Sequence, residues 1–281
     1  NYGDPAFAND CLEIYSYVRE CNPTVRLGIH TNGGMRNPEW WTKLAQHNID
    51  VAFAVDGFKG KHELYRKNTK FDKVIENLKA FCDAGGIARV DSLVFEHNEH
   101  EVDELESYLL SLGVQEVNFV STTRFYEMKE FEVHDNNGNV EYTIAPAQTE
   151  RFKKTPNNSL NALVDPAVRN AAVELAIIEP KCVTEKGVYI DPYGNIFPCC
   201  WIGGEYIEQP VEEKLPIHYL RNLSVNNTKT ILKTVGVPNC HDAVLNTNEN
   251  LFKKMPDFWQ GKNKCLTCVK VCSKALYDSR K

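Results

Sequence analysis

The sequence has no apolar run approaching the ~20 residues of a membrane span, no internal repeat and no low-complexity tract. Methionine is scarce, three in all, and residue 1 is Asn with no secretory or transit leader behind it, so the sequence reads as a fragment or processed product. Positive charge is not in excess. The net charge of -6 argues against a whole-chain nucleic-acid binder. No phosphate loop of the Gly-x-x-x-x-Gly-Lys-Ser/Thr type and no nucleophile elbow occurs. What remains is an ordinary globular composition, 42% hydrophobic and 25% charged, which excludes disordered and collagen-like chains. At 281 residues, one large domain or two ordinary ones bury roughly 75% of the unfolded surface, so no metal or disulfide is needed merely to hold a core.

The first half alternates helix and strand signals. Asn9 and Asp10 precede a helical stripe of Cys11, Ile14, Tyr15 and Val18, ended by Asn22-Pro23. A strand is predicted over 25–29, followed by the loop Thr31-Asn32-Gly33-Gly34. Asn37 then caps a helix that has Pro38 at its first position. Val51 to Val55 predicts the next strand, closed by Asp56-Gly57. Phe71, Val74, Ile75, Leu78, Phe81 and Cys82 form a helical stripe stopped by Gly85-Gly86. Strands over 90–95 and 117–120 flank a helix carrying Val102, Leu105, Leu109 and Leu112. This order predicts a parallel sheet with helical crossovers, whose ligands sit at the strand C-terminal ends. The loop-like Asn1-Tyr2-Gly3-Asp4-Pro5 reads as following a strand that is not in the sequence.

After residue 124 the alternation stops. A hairpin is expected around Asp135 to Gly138, a connector over 145–165 and a helix over 166–178. Ten cysteines are present, and seven of them lie between Cys182 and Cys272. The turn Asp191-Pro192-Tyr193-Gly194 predicts a second hairpin, with Cys182 ahead of it and Cys199 behind it. Cys265-x-x-Cys268-x-x-x-Cys272 follows. A Cys-x-x-Cys turn lets two thiolates point into one site. Disulfides, a structural four-cysteine zinc site and an iron–sulfur cluster all satisfy these counts. Cys200 is an alternative to Cys199. Cys11 and Cys82 read as buried on helix faces, while Cys21 and Cys240 carry no assignment.

The run Glu96, His97, Glu99, His100, Glu101 reads as a solvated acidic helix start rather than a metal site. Residues 253–281 carry eight lysines or arginines against Asp257 and Asp278, a +6 segment that leaves -12 elsewhere. A solvated basic tail is the plain reading, and charge beside a cluster also tunes its potential.

Taken in order, these motifs resemble the radical S-adenosylmethionine (SAM) enzymes. Cys182, Gly194-Asn195-Ile196-Phe197-Pro198-Cys199 and the late cysteine run are similar to the auxiliary-cluster domain called SPASM or twitch. Gly3-Asp4-Pro5 resembles the family's Gly-Glu-Pro loop. Thr31-Asn32-Gly33, Ala54-Val55-Asp56-Gly57, Tyr65-Arg66, Asn98 and Leu112-Gly113-Val114 resemble its later barrel segments. The resemblance implies an α/β fold: a partial parallel (β/α), TIM-barrel-like domain over 1–124, incomplete at its N-terminus. A connector with hairpin and helix follows over 125–180, then a small cysteine-rich α+β SPASM/twitch domain over 181–281.

For function, the resemblance implies a cytoplasmic enzyme that cleaves SAM to a 5′-deoxyadenosyl radical and abstracts hydrogen from a substrate, with peptides or proteins the common class. SAM would contact Gly3, Asp4, Thr31, Asn32, Asp56, Arg66 and Asn98. Arg66 would lie near the SAM carboxylate and Asp4 near its ammonium. An auxiliary [4Fe–4S] cluster would take its ligands from Cys182, Cys199, Cys265, Cys268 and Cys272, and electrons would come from a reducing partner protein. No nucleic acid or membrane partner is expected. Three departures stand out. The family's Cys-x-x-x-Cys-x-x-Cys is absent, so a catalytic [4Fe–4S] cluster is expected only in a longer form and this chain alone is expected to be inactive. Ala54 stands where relatives have a ribose-contacting Ser, and Asp4 is one methylene shorter than the family's Glu. The alternative from another class is a non-catalytic, zinc-stabilised α/β binding module.

Overall fold

The computed structural model describes residues 3–122, 125, 130–153, 165–185, 187–191, 193–207, 216–237, 254–261 and 263–273. The chain divides into two compact units, Asn1–Pro156 and Asn157–Lys281.

The first unit is α/β. Four parallel strands, β1 (Leu27–Thr31), β2 (Ile49–Ala54), β3 (Ile87–Val94) and β4 (Glu116–Ser121), lie in sequence order. Helix α1 (Cys11–Cys21) precedes the sheet. Helices α2 (Pro38–Ala45), α3 (His62–Tyr65), α4 (Phe71–Asp83) and α5 (Val102–Ser111) connect the strands. The predicted signals act as expected at several ends. The Asn37 side chain accepts the Trp40 N–H at 3.0 Å, with Pro38 in the first turn. Helix α4 closes with Gly85 N–H on the Cys82 carbonyl and Gly86 N–H on the Phe81 carbonyl, a Schellman motif. Gly85 takes the left-handed φ of 84° that this motif needs. A Cβ at Gly86 would stand 2.4 Å from the Phe81 ring, so the helix exit packs directly on the core.

Strand β1 begins two residues later than its apolar signal, at Leu27. Arg19 explains the shift: its Nη1 donates to the Pro23 and Val25 carbonyls at 2.7 and 2.8 Å and holds 23–25 in a loop. The core joins Ile29, Val51, Phe53 and Val90 of the sheet to Trp41, Leu44, Val74, Leu78, Phe81, Leu105 and Leu109 of the helices. Burial of each such side chain contributes about 1.5–3 kcal/mol. A hairpin, β5 (Phe131–His134) with β6 (Val140–Ile144), completes the unit. A bridge from Phe95 to Pro146 runs from the end of β3 to the residues after β6.

The second unit contains α6 (Pro166–Leu175), α7 (Lys181–Thr184), the hairpin β7 (Tyr189–Ile190) with β8 (Ile196–Phe197), α8 (Cys200–Ile207), α9 (Pro216–Val235) and α10 (Leu266–Cys272). Asp191 folds the turn of the second hairpin by accepting the N–H groups of Tyr193 and Asn195 at 2.8 and 2.9 Å. Pro192 lies outside the described residues, as do residues 154–164 of the expected connector and Cys240. Helix α6 ends three residues before the expected 178. Ala176 turns extended, and the Lys264 ammonium takes the Val173, Glu174 and Ala176 carbonyls at 3.0, 2.8 and 2.7 Å. Ile178 is thereby free to pair with Ser273. The core here is Phe197, Ile202, Ile231, Leu232, Val235, Met255, Cys265 and Cys268.

Candidate cofactor sites

In a parallel sheet every strand ends on the same rim, so the loops after β1, β2 and β3 share one edge of the first unit. Two polar clusters are built there. In the first, the Asp4 carboxylate accepts the Thr31 hydroxyl at 2.8 Å, the Asn32 N–H at 2.7 Å and the Ala6 N–H at 3.0 Å. Gly3 is exposed beside it. Asp4 thus ties residues 3–8 to the end of β1. Buried Asn77 supports the same loop from beneath by donating to the Gly33 and Met35 carbonyls at 2.7 and 3.1 Å.

The second cluster centres on Asp56, which is wholly buried. Its Oδ2 lies 2.6 Å from Arg66 Nε, and its Oδ1 accepts the Leu93 N–H at 2.6 Å. The Asp56 N–H donates to His62 Nδ1 at 3.1 Å, which fixes the imidazole as the Nε2–H tautomer. Burial drives the His62 pKa down to about 4, with the Arg66 charge adding to the effect. Asn98 Nδ2 donates to the Asp56 and Leu93 carbonyls at 3.2 and 2.9 Å, and its Oδ1 accepts the Phe95 N–H at 2.7 Å. The Asn98 amide is therefore spent on shaping the rim, whereas the Arg66 side chain keeps 24% of its surface open.

The acidic run before α5 is not the solvated helix start expected. Glu99 is buried, and its Oε2 accepts the Gln148 and Thr149 N–H groups at 2.7 and 2.8 Å. Glu101 Oε1 accepts the Phe58 N–H at 2.9 Å. His62, Asn77 and Glu99 were missed as site-forming residues because nothing in their local spacing sets them apart from surface polar residues.

One face of the sheet is core. The other, by strand alternation, carries Gly28 and His30 of β1, Ala52 and Ala54 of β2, Arg89 and Asp91 of β3, and Asn118 of β4. Ala52 and Ala54 are short enough for residues of β1 and β3 to meet above β2. His30 Nε2 lies 3.2 Å from Arg89 Nη2, and His30 Nδ1 lies 3.6 Å from Asp91 Oδ2. His30 keeps 69% of its side chain exposed, and Arg89 and Asp91 nearly 40%.

In the second unit the five predicted cysteines are free thiols, as are Cys11, Cys21, Cys82 and Cys200. Cys265 and Cys268 are buried at the start of α10 and share a hydrogen bond. That bond holds Cys265 below the ordinary thiol range and drives Cys268 far above it. Burial pushes Cys199 up to about 12, against the N–H groups of Ile202 and Trp201, and Cys182 adds to the rise. Cys182 is raised by burial and then by the charge of Cys272. The Glu179 N–H on the Cys272 carbonyl at 2.9 Å staples the start of α7 to the end of α10. Cys265 and Cys268 lie in one core cluster, and the partly buried Cys199 packs against it. Yet among the described residues no three Cys, His, Asp or Glu side chains are grouped tightly enough to hold a single metal ion. The buried Trp259 indole N–H, without an oxygen or nitrogen partner, faces Cys268. Among the described residues no helix is long and apolar enough to cross a membrane.

No family model matches the chain, and no curated protein matches it. Solved structures do. Streptococcus suis SuiB bound to S-adenosylmethionine aligns at a TM-score of 0.44 and 14% identity, over 78% of this chain and 52% of that one. SuiB bound to the precursor peptide SuiA gives 0.44 and 13% over the same shares. Histidine-tagged anSMEcpe with bound AdoMet gives 0.44 and 13%, over 71% of this chain and 56% of that one. The chain thus spans about half the length of these chains.

Proposed function

We propose that residues 1–281 form the body of a radical SAM enzyme: a partial barrel that takes SAM on the C-terminal rim of its sheet, joined to a SPASM/twitch-type domain for an auxiliary [4Fe–4S] cluster. What supports the reading is that Cys265 and Cys268 are buried in one core cluster against which Cys199 packs, while the Glu179 N–H on the Cys272 carbonyl ties the segment before Cys182 to the end of α10. A polynuclear cluster gives each thiolate its own iron, so it asks for wider spacing than four ligands on one zinc at ~2.3 Å. Backbone N–H groups aimed at Cys199 and Cys265, and the Trp259 indole beside Cys268, suit sulfur that carries negative charge. The raised pKa values of Cys182, Cys199 and Cys268 mean that loading these thiols would release protons.

At the rim the donor set fits the charges of a methionine moiety. Asp56 holds Arg66 through Nε, and the guanidinium, on a side chain that is 24% exposed, would clamp a carboxylate. Asp4 supplies the opposite charge beside Gly3, Thr31 and Asn32. Asp56 and Asn98 act by holding the rim. The open face with His30, Arg89 and Asp91 fits the interior wall of a barrel, since an all-parallel sheet ordinarily has both faces covered. SAM together with a reduced catalytic cluster would supply a 5′-deoxyadenosyl radical for hydrogen abstraction from a substrate, for which we propose a peptide or protein. The sequence itself contains no Cys-x-x-x-Cys-x-x-Cys to ligate that cluster. A reducing protein partner and a cytoplasmic setting belong to the same proposal.

The test is anaerobic reconstitution of this chain with iron and sulfide, followed by metal and sulfide analysis. Four irons and four sulfides per chain, lost in Cys268→Ala, are expected. Stoichiometric zinc without sulfide would replace this reading with a zinc-stabilised binding module. The loaded chain, reduced with dithionite, is expected to release no 5′-deoxyadenosine from SAM. Release above background would refute the assignment of the catalytic cluster to a longer form.

A further inference from the structure

Arg66 is carried by a segment with little rigidity of its own. Helix α3 is a single turn, His62–Tyr65, and Arg66 leaves it in a non-helical conformation with its N–H on the His62 carbonyl at 3.0 Å. One turn does not sustain itself in water, and its last carbonyls have no partner within the helix. The β5–β6 hairpin supplies what is missing. Tyr142 Oη donates to the Leu64 carbonyl at 2.8 Å, across 78 residues of sequence. Lys67 Nζ donates to the His134 carbonyl at 2.9 Å and pairs with Glu141. The hairpin thus grips the chain on both sides of Arg66. Val133 and Tyr142 oppose each other across the hairpin, and both join Tyr65 in the apolar cluster around Phe95 and Ile144. The Tyr65 ring lies 4.7 Å from Phe95, and the Arg66 guanidinium carbon stands 5.6 Å from the Tyr65 ring centre. The two grips are unequal. Lys67 and Glu141 are 38% and 49% exposed, where an ion pair contributes little, whereas the Tyr142 bond is partly buried and fills an orphan helix carbonyl.

From this double grip we infer that Tyr142 is a positioning residue for Arg66: its hydroxyl, through the Leu64 carbonyl, fixes the backbone from which the guanidinium reaches the Asp56 carboxylate. The inference rests on the reading of Arg66 as the SAM carboxylate clamp. Asp56 holds only the head of the side chain, at Nε. With the backbone at 64–67 also held, a carboxylate ligand meets a guanidinium that is already in place, and binding does not have to order the loop. The hairpin, which follows the sheet in sequence, is in this way part of the rim site without supplying a ligand contact itself.

The experiment compares wild type, Tyr142→Phe and Lys67→Met. Phe keeps the ring in the apolar cluster and removes only the hydroxyl. SAM affinity is measured by calorimetry, and water exchange of the Arg66 Nε–H is followed by nuclear magnetic resonance, its signal assigned by its loss in Arg66→Lys. Arg19 Nε, which donates to the His47 carbonyl at 3.2 Å in the same unit, serves as the internal reference. Tyr142→Phe is expected to bind SAM about fivefold more weakly, the worth of one ordinary hydrogen bond, and to exchange the Arg66 Nε–H faster by a similar factor while Arg19 is unmoved. Lys67→Met should change both by less than about twofold. Unchanged Arg66 exchange in Tyr142→Phe overturns the inference and leaves the SAM reading standing, whether or not affinity falls. So does quickening of Arg19 and Arg66 alike, which marks a general loss of stability, or a Lys67→Met variant as impaired as Tyr142→Phe. Wild type that binds no SAM overturns both the inference and the reading of Arg66.

Discussion

Asp56 and Arg66 form an asymmetric pair: the carboxylate is wholly buried, and the guanidinium 2.6 Å away reaches the surface. The buried partner depends on the exposed one more than the reverse. Arg66→Met should therefore cost about 3–5 kcal/mol, as loss of one partner of a buried pair does. Urea unfolding checks it. A cost under about 1 kcal/mol would mean that the Leu93 N–H and other contacts hold the carboxylate unaided. The same variant should lose SAM binding by calorimetry if Arg66 is the carboxylate clamp.

His62 is buried as a neutral ring, so its folded pKa of about 4 lies below the ordinary 6.5. Between those values the unfolded chain binds the extra proton. Stability should thus be complete above pH 6.5 and decline as pH falls towards 4, by up to roughly 3 kcal/mol. His62→Asn keeps an acceptor for the Asp56 N–H and should flatten that slope in pH-dependent denaturation. An unaltered slope would assign the effect to another group.

Glu99 gives the same sign from a different cause and in a lower pH range. Burial alone would raise its pKa from 4.5, but the bonds from the Thr149 and Gln148 N–H groups outweigh it and hold the value lower. Its contribution should be present above pH 4.5 and vanish as pH falls through the depressed value. Glu99→Gln should remove part of the acid sensitivity of the first unit. A variant that unfolds in acid just as wild type does would show that Glu99 contributes nothing to it.

Lys264 gives its ammonium to three carbonyls at the end of α6. Lys264→Met keeps the apolar stem and deletes the charge, and it should destabilise the second unit by about 1.5–3 kcal/mol. Amide exchange should quicken first at 172–176. Uniform quickening across the unit would point to global loss of stability instead of a lost helix cap.

The order of helices and strands in the first unit was legible in the sequence because its signals are local. Asn37-Pro38 starts a helix and Gly85-Gly86 ends one whatever surrounds them, and the stripe from Phe71 to Phe81 needs only helical periodicity. The pairing partners and the register were set by tertiary structure. Strand β1 slid to Leu27–Thr31 because Arg19 captured the carbonyls before it, and α6 stopped early because Lys264, almost 90 residues away, took its last carbonyls. Around the cysteines the sequence supplied the residue types and the two-residue gap between Cys265 and Cys268. The contacts that surround them are long-range, such as the Ile178–Ser273 bridge. The buried polar residues were the least legible, since His62 and Glu99 look like surface residues until burial removes water and leaves each one dependent on a few named partners.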